Sequence, residues 1–174
     1  MDTERKNVVT FKNNPLTLIG PEIKVGQKAP EFSALAGDLS PVTLASSKGK
    51  TRLFIAVPSL DTGVCDAEAR RFNEEAAKFP GVEALVISVD LPFAQGRFCQ
   101  TAGIKNLKCL SDHRDVSFGK AYGALIKELR LLSRAIFVVD ASDTVTYVEY
   151  VKEVTTPPNY DAALNALKAK AAAH

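Results

Sequence analysis

The chain has 174 residues, of which 46% are hydrophobic and 24% charged. That length and balance suit one globular domain over 1–174, with a core large enough to need no disulfide or metal staple. With 22 basic against 20 acidic residues and no long run of either sign, the charge leaves no footprint for nucleic acid or an anionic membrane.

The first residues, Met1-Asp2-Thr3-Glu4-Arg5-Lys6-Asn7, are charged, and no apolar segment or small-residue cleavage site follows them. They do not read as a secretory signal, and a cytoplasmic location is the expectation. The longest clearly apolar run, Leu53 to Val57, is far too short to span a bilayer. Three cysteines, Cys65, Cys99 and Cys109, are too few, and odd in number, for a secreted disulfide framework, so any disulfide should be transient and chemical.

In chain order, Val8 to Phe11 and Leu16 to Ile19 flank Asn13-Asn14-Pro15, which predicts an N-terminal β-hairpin with a scaffolding role. Residues Val25 to Ser47 are rich in Gly, Pro and Ser and read as loop with one or two short strands. The run Arg52 to Val57, closed by Pro58, predicts a central strand buried on both faces. Ala69, Phe72, Ala76 and Phe79 recur at steps of three and four, which predicts a helix from Cys65 to Phe79 stopped by Pro80-Gly81.

A second buried strand is expected from Val82 to Asp90, then a helix from Pro92 towards Gly103, Pro being favoured in a first turn. A short strand at Leu107 to Leu110 and a helix around Val116 to Tyr122 follow. Ala135 to Val139 and Thr144 to Val151 read as a hairpin around Asp140-Ala141-Ser142-Asp143. An Ala- and Leu-rich helix runs from Tyr160, with Ala169 to Ala173 as its fraying end. Parallel crossovers followed by an antiparallel end match an α/β thioredoxin-like fold, a central mixed sheet flanked by helices.

Cys65 falls in the first turn of its helix, with Asp61 or Thr62 available as N-cap. Unpaired N–H groups and the helix dipole favour an anion there, and the thiolate is the nucleophilic form, so a lowered thiol pKa is expected. Against this, Cys65 shares the apolar stripe of Ala69 and Phe72, and free cysteines serve as small core residues; periodicity alone leaves both readings open. Thr62 can aim its hydroxyl at the sulfur, and Pro58 can shield it from water, although Thr also caps helices and Pro also ends strands. Arg134 precedes the apolar strand at Ala135 and is the candidate cationic partner, unless it is an ordinary solvated arginine.

Other signals point away from cofactors. Gly49-Lys50-Thr51 mimics a phosphate-binding loop, but position 44 is Leu and the fragment precedes a strand. With only His113 and His174 and no Cys-x-x-Cys pair, neither a metal site nor a thioredoxin-type dithiol is supported.

The spacing of Pro58, Thr62 and Cys65 resembles the Pro-x-x-x-Thr-x-x-Cys signature of peroxiredoxins. More narrowly, Pro58 to Cys65 and Asp90 to Cys99 resemble the atypical two-cysteine subfamily, the bacterial thiol peroxidases, the likeness running from about Val8 to Ala166. The resemblance implies a peroxidatic Cys65, a resolving Cys99 and a site completed by Arg134, Thr62 and Pro58. It further implies a sulfenic acid at Cys65, an intramolecular disulfide to Cys99, recycling by thioredoxin or a similar dithiol reductant, and a homodimer. Reduction of hydrogen peroxide and alkyl hydroperoxides without a bound cofactor is the implied activity. Joining the two cysteines requires Cα atoms within about 7 Å and hence local unwinding of helix. Neither the residues nor the resemblance gives Cys109 a role beyond that of a structural thiol. A non-catalytic thioredoxin-like binding module and a redox sensor are the competing readings.

Overall fold

The computed structural model describes residues 2–171; His174 and the end of the alanine-rich tail lie outside the described residues. Among these residues are eleven strands and four α-helices in two sheets.

The larger, seven-stranded sheet is built on β5 (Thr51–Ala56), β6 (Val82–Ser88) and β7 (Lys108–Ser111). These three run parallel, with Ala56 opposite Ile87 and Ser88 opposite Ser111. On the other side of β5 come β10 (Ala135–Val139) and β11 (Val145–Tyr150), both antiparallel to their neighbours. Beyond β7 lie β3 (Ser33–Leu35) and β4 (Pro41–Thr43), followed by a short 3-10 turn at Leu44–Ser47. The loop expected over 25–47 thus holds two short strands.

Both faces of this sheet are covered, which is why β5 reads as a continuous apolar run. Leu53 and Ile55 point to a cluster shared with α1 (Gly63–Ala76) and α4 (Tyr160–Ala171), where Phe72, Leu164 and Leu167 are buried. Phe54 and Ala56 point to the opposite cluster with Phe32, Phe118, Tyr122 and Phe137. There α3 (Ser117–Ala121) stacks Phe118 on Tyr122 with ring centroids 4.3 Å apart. Alternation along a pleated strand divides the side chains this way.

Helix boundaries move where caps decide them. The first helix starts at Gly63, not Cys65, because Thr62 is its N-cap. It ends at Ala76, not Phe79, because the last N–H groups tighten onto carbonyls three residues back, Lys78 to Glu75 and Phe79 to Ala76. The second, α2 (Pro92–Ala102), begins at its predicted proline and ends at Gly103, which takes the left-handed conformation at φ 68°.

The N-terminal hairpin, β1 (Glu4–Phe11) and β2 (Asn14–Ile19), does not join the main sheet. It pairs through β2 with β8 (Leu125–Ile126), which pairs with β9 (Leu131–Leu132), to form a separate four-stranded sheet. Two-residue strands carry no readable period, so the sequence gives no sign of them. The hairpin tip is tied to the segment after β11: Thr10 N–H donates to Lys152 O at 2.7 Å and Val154 N–H to Thr10 O at 2.8 Å.

Candidate active site

Strand register assembles the site. Because Ala135 of β10 lies opposite Ala56 of β5, Arg134 stands beside the point where β5 passes into the loop 58–62. Val151 N–H donates to Arg134 O at 2.9 Å, which brings residues 151–155 to the same end of the sheet. Three separated stretches of chain therefore meet at the C-terminal end of β5.

The loop 58–62 is held from β6. Asp90 accepts from Ser59 Oγ at 2.7 Å, from Leu60 N at 2.8 Å and from Ser88 Oγ at 2.7 Å. A carboxylate receiving three donors fixes the entry angle of α1. Thr62 Oγ1 then accepts from Cys65 N at 3.4 Å and donates to Ser59 O at 3.2 Å. Replacing Thr62 with Val should cost about 1 kcal/mol of stability in urea unfolding, while Thr62→Ser keeps the cap and the stability.

Cys65 is wholly buried in the first turn of α1. Its sulfur faces the guanidinium of Arg134. Arg134 is itself 2% exposed, so it is neither a solvated surface arginine nor a group at an open strand edge. Its Nη1 donates to Glu68 Oε2 at 2.6 Å and its Nε to Val154 O at 3.0 Å. Burial opposes its charge, but the Glu68 carboxylate and the Cys65 sulfur outweigh burial and raise its pKa.

Glu68 is the site residue that sequence reasoning misses. It lies one turn after Cys65 on α1, fully buried, between the apolar positions of the stripe. Burial pushes its carboxyl up from 4.5 to about 7 against the pull of Arg134. Its second oxygen, Oε1, has no hydrogen-bond partner in the structure. A glutamate at the spacing of a buried stripe, three residues after a cysteine, is the only signal the sequence offers for it.

Beside this cluster opens a cleft of about 300 Å³ lined by Phe11, Pro58, Thr62, Val64, Arg134 and Val154 among others. Pro58 is buried and Thr62 exposed, and the Thr62 hydroxyl is engaged by Cys65 N and Ser59 O rather than by the sulfur. Phe11 comes from the N-terminal hairpin. Apolar walls with one buried cation suit a small molecule that is part apolar and part polar.

Cys99 is not in this cluster. It lies in the last turn of α2, where its carbonyl accepts from Ile104 N at 2.9 Å, and its sulfur is 2.6 Å from that of Cys109. All three cysteines are free, and all three pack in or against the apolar cluster between α1 and the sheet. Among the described residues no group of three or more His, Cys, Asp or Glu could hold a metal ion, and no helix is long and apolar enough to cross a membrane.

Known proteins are similar to this chain. The sequence profile of the Redoxin family matches residues 24–164. A thiol peroxidase of Halalkalibacterium halodurans is 66% identical over 161 residues, 92% of this chain and 97% of the relative. The chain belongs to the Redoxin family, among its bacterial thiol peroxidases. The thiol peroxidase of Bacillus subtilis is 54% identical, over 92% of this chain and 96% of the relative. Among solved structures, a peroxiredoxin-like protein from Aquifex aeolicus superposes with a TM-score of 0.88 at 44% identity, covering 94% of this chain and 96% of the other. A thiol peroxidase from Chromobacterium violaceum gives 0.85 at 25% identity, covering 95% and 98%. The fold class is the thioredoxin-like α/β one expected, and the protein is an enzyme of the peroxiredoxin type, a thiol peroxidase.

Proposed function

We propose that the protein reduces hydrogen peroxide and alkyl hydroperoxides at Cys65, resolves the product with Cys99, and is recycled by thioredoxin or a similar dithiol reductant. The observation that carries this reading is the Cys65 sulfur in a helix first turn, facing a buried guanidinium that Glu68 and Val154 O hold in place. Helix N–H groups and a fixed cation stabilise the thiolate and the negative charge that develops on the leaving oxygen.

The Cys65 thiolate attacks the distal peroxide oxygen, the O–O bond breaks, and the alcohol or water departs with a proton. Cys65 is left as a sulfenic acid. Thr62 positions the peroxide and caps the helix, Pro58 excludes water from the sulfur, and Arg134 holds the peroxide oxygens. The apolar cleft walls favour the alkyl group of an organic hydroperoxide. The Cys99 thiolate then attacks the Cys65 sulfur, water leaves, and a disulfide forms. That step needs the first turn of α1, the last turn of α2 or both to open. The turns lost are helix ends, which have the lowest cost of local unfolding. Thioredoxin reduces the disulfide by exchange. The cytoplasm is the compartment that keeps these thiols reduced between cycles. By family resemblance the working unit is a homodimer, which light scattering at micromolar concentration checks; a monomeric mass in both redox states overturns it.

The test is NADPH-coupled consumption of cumene hydroperoxide and hydrogen peroxide with thioredoxin and thioredoxin reductase. Wild type should turn over repeatedly. Cys99→Ser should react with peroxide once, accumulate a dimedone-reactive sulfenic acid and lose at least about tenfold in thioredoxin-supported turnover. Undiminished turnover in Cys99→Ser would remove Cys99 from the cycle.

A further inference from the structure

The 2.6 Å contact between Cys99 and Cys109 sulfurs has no part in the two-cysteine cycle. It is nevertheless built into the fold. Gln95 lies one turn before Cys99 on α2 and is buried, and its Nε2 donates to Leu110 O of β7 at 2.8 Å and to Ser88 Oγ at 3.0 Å. Leu110 is the chain neighbour of Cys109. The helix face carrying Cys99 is thus clamped onto the strand carrying Cys109, and β7 is itself registered by parallel pairing with β6, Cys109 opposite Val86.

We propose that Cys109 is a second resolving thiol: it takes the disulfide over from Cys65 by thiol–disulfide exchange, so that the oxidised chain rests as Cys99–Cys109 with Cys65 free. This rests on the peroxidase cycle above. The Cys109 sulfur attacks the Cys99 sulfur of the Cys65–Cys99 disulfide. The Cys65–Cys99 bond breaks, the electron pair leaves on Cys65 as thiolate, and the proton lost by Cys109 goes to solvent. One disulfide replaces another, so no outside oxidant or reductant is needed.

Two features drive the exchange forward. In the cycle above a Cys65–Cys99 disulfide forms with one or both helix ends opened, whereas Cys99 and Cys109 already meet with α1 and α2 intact. Closing the helices therefore favours the relayed disulfide. The two thiols are also unequal. The hydrogen bond from Cys109 lowers the pKa of Cys99, while that same contact, burial, and the charges of Cys99 and Asp90 raise that of Cys109. In the reduced chain the contact thus favours Cys99 over Cys109 as the attacking thiol. Once Cys99 is part of a disulfide it carries no charge, and two of the causes that hold Cys109 protonated disappear.

The relay has a consequence for stoichiometry. With Cys65 set free, a chain without reductant can consume a second equivalent of peroxide, whereas a chain arrested at Cys65–Cys99 stops after the first. The experiment treats the fully reduced protein with one equivalent of cumene hydroperoxide, alkylates at low pH, digests with trypsin and maps linked peptides by mass spectrometry. Cys65, Cys99 and Cys109 fall in separate tryptic peptides, divided at Arg70, Arg97, Lys105 and Lys108. Expected are a Cys99–Cys109 link with alkylated Cys65 in wild type, a Cys65–Cys99 link in Cys109→Ser and Cys109→Ala, and no link on the same timescale in Cys65→Ser. A persistent Cys65–Cys99 link with alkylated Cys109 in wild type overturns the relay while leaving the peroxidase cycle standing. A Cys99–Cys109 link that forms as fast in Cys65→Ser also overturns it, since the oxidation then bypasses Cys65. Wild type that consumes no peroxide overturns the cycle itself, and the relay with it.

Discussion

Cys65→Ser abolishes peroxide turnover, by at least about 1,000-fold, with cumene hydroperoxide and hydrogen peroxide alike. The substitution changes one atom in a first turn that Thr62 and Asp90 position, so the loop and Arg134 keep their places. What it removes is the chemistry. A serine hydroxyl is not ionised near neutral pH, and its oxygen has no counterpart of the sulfenic acid. The folded state should survive, because the new hydroxyl is close in volume to the thiol and faces the Arg134 guanidinium rather than hydrocarbon alone. A near-UV circular dichroism spectrum matching wild type, together with absent turnover, is the expected pair of results. Retained turnover, or a wild-type Cys65 that alkylates as slowly as a core thiol at neutral pH, would return Cys65 to the role of a packing residue.

The second large effect falls on the pair Arg134 and Glu68. Arg134→Leu removes the cation from a carboxylate that is fully buried and whose second oxygen is already without a partner. Breaking a buried pair from one side costs about 3–5 kcal/mol. The loss depends on pH with a definite sign. Glu68 in the folded chain has its carboxyl raised from 4.5 to about 7 by burial, so the folded state holds this proton more tightly than the unfolded state. Stability from that proton is fully present below pH 4.5 and is lost as pH rises through 7. Without Arg134 the pull towards the charged form is gone and the carboxyl rises further. The penalty of Arg134→Leu should therefore be small at acid pH, with Glu68 protonated, and grow to its full size in alkali. Urea unfolding across this range measures it. The double variant Arg134→Leu with Glu68→Leu should regain most of the stability, since two packed apolar groups can replace a buried pair, yet should remain without peroxidase activity. Stability restored together with activity would show that the pair is a packing device and not part of the site.

Glu68→Gln separates the two roles from the other side. It keeps an oxygen for Arg134 Nη1 and removes the titration, so the pH dependence of stability between 4.5 and about 7 should flatten.

Much of this was legible in the residues. Local patterns located these elements: continuous apolar runs gave β5 and β6, a stripe at steps of three and four gave α1, and a first-turn proline gave the start of α2. The Pro58, Thr62 and Cys65 spacing was legible for the same reason, since a strand end, a cap and a first turn are consecutive in the chain. Contacts across the fold were not. Glu68 looks like an interruption of an apolar stripe until Arg134, 66 positions away, is seen to hold it. Strands β8 and β9 are too short to show a period, so the partner of the N-terminal hairpin was hidden, and with it the presence of Phe11 at the cleft. Cys109 reads as a core thiol until α2 lays Cys99 against it.

The two buried arginines make the division plain. Arg52 opens β5 and Arg134 precedes β10, each next to an apolar run and each indistinguishable from a solvated arginine by composition. In the structure Arg52 is consumed by Ser47, Asp140 O and Asp143 at the end of the sheet away from Cys65, and only Arg134 faces the sulfur. The sequence by itself determined that a cysteine stands at a helix start behind a buried strand, and the family resemblance named Arg134 as its cationic partner. Only the antiparallel register of β10 on β5, a long-range pairing that no local pattern encodes, brings that arginine beside the sulfur.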